Sequence, residues 1–461
     1  MEKQKRLGTQ NVAKLLMEFS FPAIIGMLIN ILYNIVDRIF IGKGVGAIAI
    51  SAVGLTLPFS TIMMAFGMLA GIGGSALISI RLGEGKHDEA EKILGNTFIL
   101  LSIISILVTV AGIVFLDPLL RLFGASNVTF NYAKDYIFII LAGAIFNAVG
   151  FGLNGSIRSD GSPKTAMMTN LIGAITNIIL DYIFIMKMNM GIKGAAIATI
   201  IGQSFNTIWV LRYFIISNKS SMKLKVKNMK LDINTVKGIF AIGMSPFVIQ
   251  LASSVVNVLS NNTLKLNGGD YAIGAMSILI SITMIFLMPV FGITQGAQPI
   301  LGYNYGAMKI DRVKKCLILA ISAASVLCIT GFVFVEFLPG FMISIFSDDE
   351  NILRIGTKGL QMFLFMIPII GFQIVTSNFF QAIGKAKISI ALSLSRQVLI
   401  LIPMLILLPK LYGLNGVWIA YPISDFLSSL ITLIFLIKEW KSMTLRENTE
   451  ENINMNELVE I

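Results

Sequence analysis

The sequence predicts an all-α membrane protein with twelve transmembrane helices in two pseudo-symmetric six-helix bundles, related as parallel repeats. Three observations support this fold class. Of the 461 residues, 55% are hydrophobic and only 13% are charged. Apolar segments recur along the whole chain, each longer than the roughly 20 residues that a helix needs to cross a bilayer. The first half of the chain is also repeated in the second half.

The apolar segments define the domain plan. One long polar connection, residues 217–232, is rich in lysine and lacks apolar periodicity. We therefore predict an N-terminal six-helix bundle over 1–216, a cytoplasmic linker over 217–232, a C-terminal six-helix bundle over 233–440 and a cytoplasmic tail over 441–461. The twelve predicted spans lie at about 15–42, 47–81, 89–116, 128–156, 163–187, 192–216, 233–266, 270–305, 310–337, 350–382, 387–410 and 413–438.

A constant offset of 223 residues relates the two halves. The matching pairs are Gly73/Gly296, Gly83/Gly306, Lys86/Lys309, Asp88/Asp311, Lys92/Lys315, Gly161/Gly384 and Lys164/Lys387. An offset of 222 matches Gly191 and Gly194 to Gly413 and Gly416. Because each half has an even number of spans, both halves enter and leave the membrane on the same side, so the repeats are parallel.

The distribution of charge predicts the orientation. With the N-terminus inside, the inward-facing segments hold 26 of the 36 Lys and Arg residues, and the outward connections hold 10. By the positive-inside rule, both termini are expected in the cytoplasm. The net charge of +11 therefore indicates cytoplasmic loops, with the linker lysines against anionic lipid, and not a nucleic-acid partner.

Several classes of function lack their motifs. The sequence has no GxxxxGK[ST] nucleotide loop and only one histidine, His87, so neither an ATP-driven engine nor a histidine metal site is expected. We expect no enzyme activity and no cofactor other than a coupling ion. Cys316 and Cys328 fall on one predicted helix, too far apart to form a disulfide, and are expected to pack in the interior.

A polar constellation marks the first, fifth and sixth predicted spans. Asp181 stands in a long apolar run with Asn177 one turn before it, while Ala195 and Thr199 follow one turn apart in the next span. Asp37 lies near the outer end of the first span at a similar depth. A carboxylate in hydrocarbon costs at least about 2.5–3.5 kcal/mol, so it usually marks function. An oxygen-rich cluster of this kind suits either Na⁺ or a proton.

The individual residues have simpler explanations that stay open. Asp37 precedes Arg38, and charges near a helix end often reach water at the membrane surface. Asn177 and Thr199, taken singly, are most often helix–helix hydrogen bonds. Asp181, buried in its apolar run, is the hardest to explain in this way.

The C-terminal half has weaker candidates. Asp425 in the twelfth span and Arg396 in the eleventh form either a structural ion pair or part of a transport pathway. A possible substrate cavity is assigned to polar and flexible residues of this half, namely Gln250, Met276, Gln295, Gln373 and Asn378.

Local sequence along nearly the whole chain resembles the multidrug and toxic compound extrusion (MATE) transporters, on the bacterial DinF-like and MepA-like side of that family. The resemblance rests on FSFPAIIGMLINILYNIVDRIFIG, GEGKHDEAEKILGN, NGSIRSDGSPKTAMMTNLIGAITNIILDYIFI, GIKGAAIATIIGQ and ITQGAQPILGYNYGA. It implies a MATE-like fold and a secondary active antiporter that exports bulky, often cationic drugs or dyes in exchange for Na⁺ or H⁺ by alternating access. We expect a bacterial plasma-membrane protein that functions as a monomer.

The resemblance also implies a site. The family's cation-coupling residues match Asp37, Asn177, Asp181, Ala195 and Thr199 in type, with Na⁺ possible at the four that carry side-chain oxygens. A second branch of the family has acids in the seventh and tenth spans. Here those spans offer neutral Gln250, Gln373 and Asn378, which argues against a coupling site in the C-terminal half.

An alternative function is a lipid-linked precursor flippase from the wider superfamily. Such a protein needs a strongly cationic cavity to hold a pyrophosphate. The predicted spans contain few basic residues beyond Arg38 and Arg396, so the sequence favours the drug antiporter.

Overall fold

The computed structural model describes residues 2–459, and these form helices and short connections without a β-strand. The N-terminal half, residues 2–216, contains ten α-helices. They are α1 (Glu2–Thr9), α2 (Val12–Gly44), α3 (Ala47–Leu55), α4 (Leu57–Gly83), α5 (His87–Val114), α6 (Leu116–Leu122), α7 (Phe130–Ala142), α8 (Ala144–Ser159), α9 (Pro163–Asp181) and α10 (Gly191–Ile215).

The C-terminal half, residues 233–459, contains eight α-helices. They are α11 (Ile233–Gly306), α12 (Ile310–Phe337), α13 (Pro339–Ser344), α14 (Glu350–Phe363), α15 (Ile367–Ala382), α16 (Ala386–Leu394), α17 (Ile402–Tyr412) and α18 (Leu414–Val459). Two π-helical stretches, Tyr182–Lys187 and Ser395–Leu401, continue α9 and join α16 to α17.

These helices provide the twelve predicted spans. Nine helical segments of the described chain are long and apolar enough to cross a membrane, and two bent pairs add one span each. The bends are 55° between α7 and α8 and 53° between α14 and α15. The 74-residue α11 counts twice, because Gly269 breaks it with φ 64° and ψ −161°, a conformation open mainly to glycine. The predicted fold class is confirmed.

Two helices extend beyond the prediction. α1 precedes the first span, where hydropathy predicts no element, and α18 continues past the predicted end at about 438 to Val459. The last two residues of the predicted tail, 460–461, lie outside the described residues. A helix as short as α1 is marginal alone in water, so tertiary contacts must stabilise it.

The linker packs on α5. Glu91, a buried acid of α5, accepts a hydrogen bond from Lys225 Nζ at 2.6 Å and another from the backbone N–H of Lys223 at 2.9 Å. One turn further along, Asn96 Oδ1 accepts from the backbone N–H of Asp232 at 2.8 Å. The ammonium groups of Lys225 and Lys223 thus have partners within the protein, Glu91 and the carbonyl of Ser217 at 2.7 Å, and contact of the linker with lipid stays a prediction.

Asp232 ends the linker and caps α11. Its Oδ2 accepts from the Thr235 backbone N–H at 2.9 Å and from the Thr235 hydroxyl at 2.7 Å, while Lys92 Nζ lies 3.2 Å from Oδ1. The Thr235 hydrogen bonds, followed by Lys92, lower the pKa of Asp232 to about 2. The cap therefore stays ionised at neutral pH, which favours the start of a helix.

The two halves meet along a close seam between α4 and the second part of α11. A Cβ added to Gly83 would lie 2.0 Å from the carbonyl oxygen of Tyr303, and one added to Gly306 would lie 2.1 Å from that of Ile80. Both positions therefore require glycine. We call this contact the seam, and the end of it at Gly83 and Gly306 the closed end.

Candidate cation site in the N-terminal half

Three helices bring the predicted cation-site residues together. Asp181 is the last residue of α9, directly before the π-helical stretch Tyr182–Lys187. Such widened turns are frequent at functional sites. α9 and α10 can approach closely because Gly173 and Gly202 face each other, with a Cβ on Gly202 only 2.7 Å from Gly173 O.

Burial distinguishes this cluster from a surface site. Asp37, Asn177 and Asp181 expose only 7%, 3% and 0% of their surfaces, and Ala195 is fully buried. Thr199 is half-buried, and Asn177 Nδ2 donates to its Oγ1 at 3.5 Å. The structure therefore brings all five predicted residues into one region, and Asp37 does not extend to water as an interfacial charge would.

The carboxyl groups of Asp37 and Asp181 contact each other, and three of their four oxygens lack a donor. Four buried oxygens of the cluster have no hydrogen-bond partner: Asp37 Oδ1, both carboxylate oxygens of Asp181, and Asn177 Oδ1. Buried polar atoms are normally paired, and an unpaired one is costly. A proton shared by the acids, or a cation bound among these oxygens, would satisfy them, so the residues present fit either ion.

Two tyrosines that sequence reasoning missed complete the cluster. The side chain of Tyr136 from α7 contacts Thr199 and lies within electrostatic reach of Asp37 and Asp181, as does the side chain of Tyr33. Tyr33 precedes Asp37 by four residues on α2, a spacing that places both on one helix face. No comparable local signal connects Tyr136 to the other residues.

The five residues assigned to a substrate cavity are dispersed. Met276 lies in the apolar core of the C-terminal half, while Gln250 and Gln295 are half-buried. Gln373 Nε2 donates to Ser428 Oγ at 2.7 Å, and Asn378 Nδ2 donates to the carbonyl of Ile374 in its own helix. These bonds suit helix packing, and a role in substrate binding stays a prediction.

Two cavities lie elsewhere. The larger, of about 430 Å³, is between the end of α12, the α14–α15 bend and α18, and Glu336 and Gln361 are its polar residues. The smaller is between α4, α5 and α8 and includes Ser105 and Asn147. Neither contains a residue of the predicted cavity.

The remaining charged and thiol groups of the spans lie outside the cation site. Arg396 Nε donates to Asp425 Oδ1 at 2.7 Å, which confirms their pairing. Both cysteines are free and buried on α12, as expected. Arg158, near the end of α8, donates to Asn154 Oδ1 at 2.5 Å but forms no ion pair within the described chain. The predicted fourth span ends at about 156, so hydropathy places Arg158 just outside it.

Twelve spans in two halves, with a buried pair of acids in one half, define a polytopic membrane transporter. The family model for MatE matches residues 22–183 and 243–407, once in each half. The chain belongs to this family, the MATE transporters, and the resemblance seen in the sequence is confirmed.

Relatives of known role are similar along nearly their whole length. The multidrug export protein MepA of Staphylococcus haemolyticus is 29% identical over 429 residues, which cover 91% of this chain and 93% of the relative. MepA of Staphylococcus aureus is 28% identical over 435 residues, covering 93% and 94%. The solved structure of the MATE multidrug transporter DinF-BH in complex with R6G is 38% identical, with a TM-score of 0.87 over 94% of this chain and 96% of that one.

Proposed function

We propose that this protein is a secondary active multidrug antiporter that exports bulky organic cations in exchange for Na⁺ or H⁺. The observation that carries the proposal is the contact of Asp37 with Asp181 in a buried site where three of their four carboxylate oxygens lack donors. A site that lacks both a proton and a cation is electrostatically unfavourable, so binding of either one is strongly favoured. The site residues are Asp37, Asn177, Asp181, Ala195 and Thr199.

The transport cycle uses this site as follows. The outward-facing state takes up the coupling ion between Asp37 and Asp181, which removes the repulsion between them. Neutralised acids allow α2, α9 and α10 to pack differently, and this change lowers the affinity for the drug. Opening of the seam then exposes the site to the cytoplasm, where the ion leaves down its gradient, in the manner of alternating access.

The class of substrate is supported by the relatives. Both MepA proteins are multidrug exporters by name, and the DinF-BH structure contains R6G. We extend this substrate class, lipophilic drugs and dyes, to the present chain. The protein would act alone in a plasma membrane, with both termini in the cytoplasm and without chemical conversion of its substrate.

Dye efflux from proteoliposomes tests the proposal. The purified protein is reconstituted and loaded with rhodamine 6G, and Na⁺ and pH gradients are imposed separately. Wild-type protein is expected to drive efflux with at least one gradient. Asp37→Asn and Asp181→Asn are each expected to abolish this gradient-driven efflux, because an amide can neither carry the proton nor supply the charge that binds Na⁺.

Asp135→Asn is the matched control. Asp135 lies on α7 in the same half but is exposed and paired with Lys193 at 3.3 Å, so its loss should leave efflux unchanged. Full gradient-driven efflux by folded Asp37→Asn or Asp181→Asn would overturn the site. Absence of efflux by wild-type protein under both gradients would overturn the function.

A further inference from the structure

α1 lies across the closed end of the seam and contacts both halves of the protein. Only Gln10 and Asn11 separate it from α2, so it is covalently tied to the N-terminal half. Its residue Leu7 is fully buried in the apolar core that is otherwise formed mainly by the C-terminal half. A short helix placed in this way resists separation of the two halves at this end.

The carbonyl end of α1 is held by side chains of the C-terminal half. Asn304 Nδ2 donates to the carbonyl oxygen of Leu7 at 2.9 Å. Lys309 Nζ donates to the carbonyl oxygen of Gly8 at 2.8 Å. Arg312 Nη2 donates to the carbonyl oxygen of Leu7 at 3.1 Å and to that of Gln10, directly after α1, at 2.6 Å. Cationic groups at the carbonyl end of a helix are favourable, because they pair with the negative end of its dipole.

The opposite side of α1 is held by the N-terminal half and the linker. Gln4 is 3% exposed, and its Nε2 donates to Asp160 Oδ1 at 3.2 Å and to Ser221 Oγ. Asp160, in the turn between α8 and α9, also accepts from Tyr213 at 2.6 Å and from Ser220 at 3.0 Å. Gln4 thus enters a buried network that already joins α8, α10 and the linker.

We propose that α1 is a latch that keeps the seam closed, and that it must release one of the two halves before the seam opens. The latch rests on the proposed function, because it regulates the alternation that such an antiporter needs. Separation of the halves at the closed end has to break either the Gln4 contacts or those of Asn304, Lys309 and Arg312. Weakening either set should therefore raise the population of molecules with an open seam.

Cysteine labelling measures this population directly in the full-length protein. The native cysteines are removed as Cys316→Ala and Cys328→Ala, and Ile80→Cys supplies a thiol inside the seam, where the smaller side chain avoids overpacking. The reconstituted protein is treated with a membrane-impermeant maleimide. Gln4→Leu and Arg312→Gln are each expected to speed labelling about three- to tenfold, the change that loss of a hydrogen-bonded contact predicts.

Arg6→Gln is the matched control on the same helix. Arg6 pairs with Glu18 at 2.8 Å at the surface, and within the described residues its side chain bonds only to Gln10 and Glu18 of the N-terminal half, so labelling should stay at the parent rate. The double variant Gln4→Leu/Arg312→Gln should label at about the sum of the two single-variant rates, because each substitution weakens a separate route by which α1 releases one half. Unchanged labelling in both single variants, or equal acceleration by Arg6→Gln, would overturn the latch. Labelling reports the seam and not efflux, so this result is separable from a failure of ion-driven transport.

Discussion

At the scale of single residues, the candidate cation site depends on small side chains as much as on charged ones. Gly173 and Gly202 allow α9 and α10 to approach until Asn177 reaches Thr199. Tyr136 enters from α7 and contacts Thr199 from another side. The site is therefore an oxygen cluster in which hydroxyl groups lie near the acids, a composition that suits a hard cation or a proton.

Tyr136 is the residue whose loss should change ion binding without removing a charge. Tyr136→Phe deletes one hydroxyl group and keeps the ring, so we expect the apparent affinity for the coupling ion to fall about three- to tenfold, the equivalent of one hydrogen bond. The measurement is dye efflux as a function of external Na⁺ or pH. Tyr132→Phe, one turn earlier and 37% exposed, is the control. Equal ion dependence in wild type and Tyr136→Phe would exclude the hydroxyl from the site.

The difference between Tyr33 and Tyr136 shows what the sequence can predict at this scale. Asn177 with Asp181, Ala195 with Thr199, and Tyr33 with Asp37 are each spaced by four residues, so helical geometry alone pairs them. Placing these pairs together required depth in the membrane and family resemblance. Tyr136 comes from a separate helix of a bent span, and its position depends on the 55° bend after α7, which hydropathy does not report.

At the scale of elements, hydropathy predicts where helices lie and not how they are broken. The spans at 163–187, 192–216 and 310–337 agree with the structure within a few residues, because length and apolar content decide them. The π-helical stretch Ser395–Leu401 and the helix α1 were not predicted. Both depend on contacts with distant parts of the chain, and such contacts cannot be predicted from a local stretch of sequence.

The Arg396–Asp425 pair connects one such broken element to α18, and we expect it to stabilise the C-terminal half. Arg396 lies in the Ser395–Leu401 stretch, and its partner Asp425 is only 5% exposed. Asp425→Ala should lower the free energy of unfolding by up to about 3–5 kcal/mol, because it leaves a largely buried cation unpaired. The 29% exposure of Arg396 places the effect at the lower end of that range.

Thermal unfolding in detergent measures this effect. The double variant Arg396→Met/Asp425→Leu should recover most of the lost stability, since an apolar pair avoids the desolvation of both charges. Asp117→Ala, which breaks an exposed pair with Lys134 at 2.8 Å, is the control and should change stability by less than about 1 kcal/mol. A midpoint for Asp425→Ala equal to that of Asp117→Ala would show that the buried pair is not structural, and dye efflux would then test it for transport.

At the scale of the whole molecule, the offset of 223 residues becomes a pseudo-two-fold axis along the seam. The offset relates Gly83 to Gly306 and Ile80 to Tyr303. In the structure Gly83 packs against Tyr303, and Gly306 packs against Ile80, so the two contacts are equivalent. Gln298 Nε2 donates to its own counterpart, Ser75, at 3.3 Å, so this pair lies on the axis. The family model also matches both halves, from residues 22 and 243. The repeat in the glycine spacing of the sequence thus predicts that equivalent surfaces of the two halves pack against each other.

The pseudo-two-fold axis predicts equal effects from equivalent substitutions at the seam. In Gly83→Ala and Gly306→Ala, the new methyl group would lie 2.0 and 2.1 Å from a backbone oxygen, so each should force the closed end apart to a similar degree. We expect both variants to reduce dye efflux and to label faster at Ile80→Cys. Gly54→Ala on α3, where nothing lies within 4 Å of the new Cβ, is the control and should behave as wild type. Normal closure in one variant and failure in the other would mean that the two halves do not share the seam symmetrically.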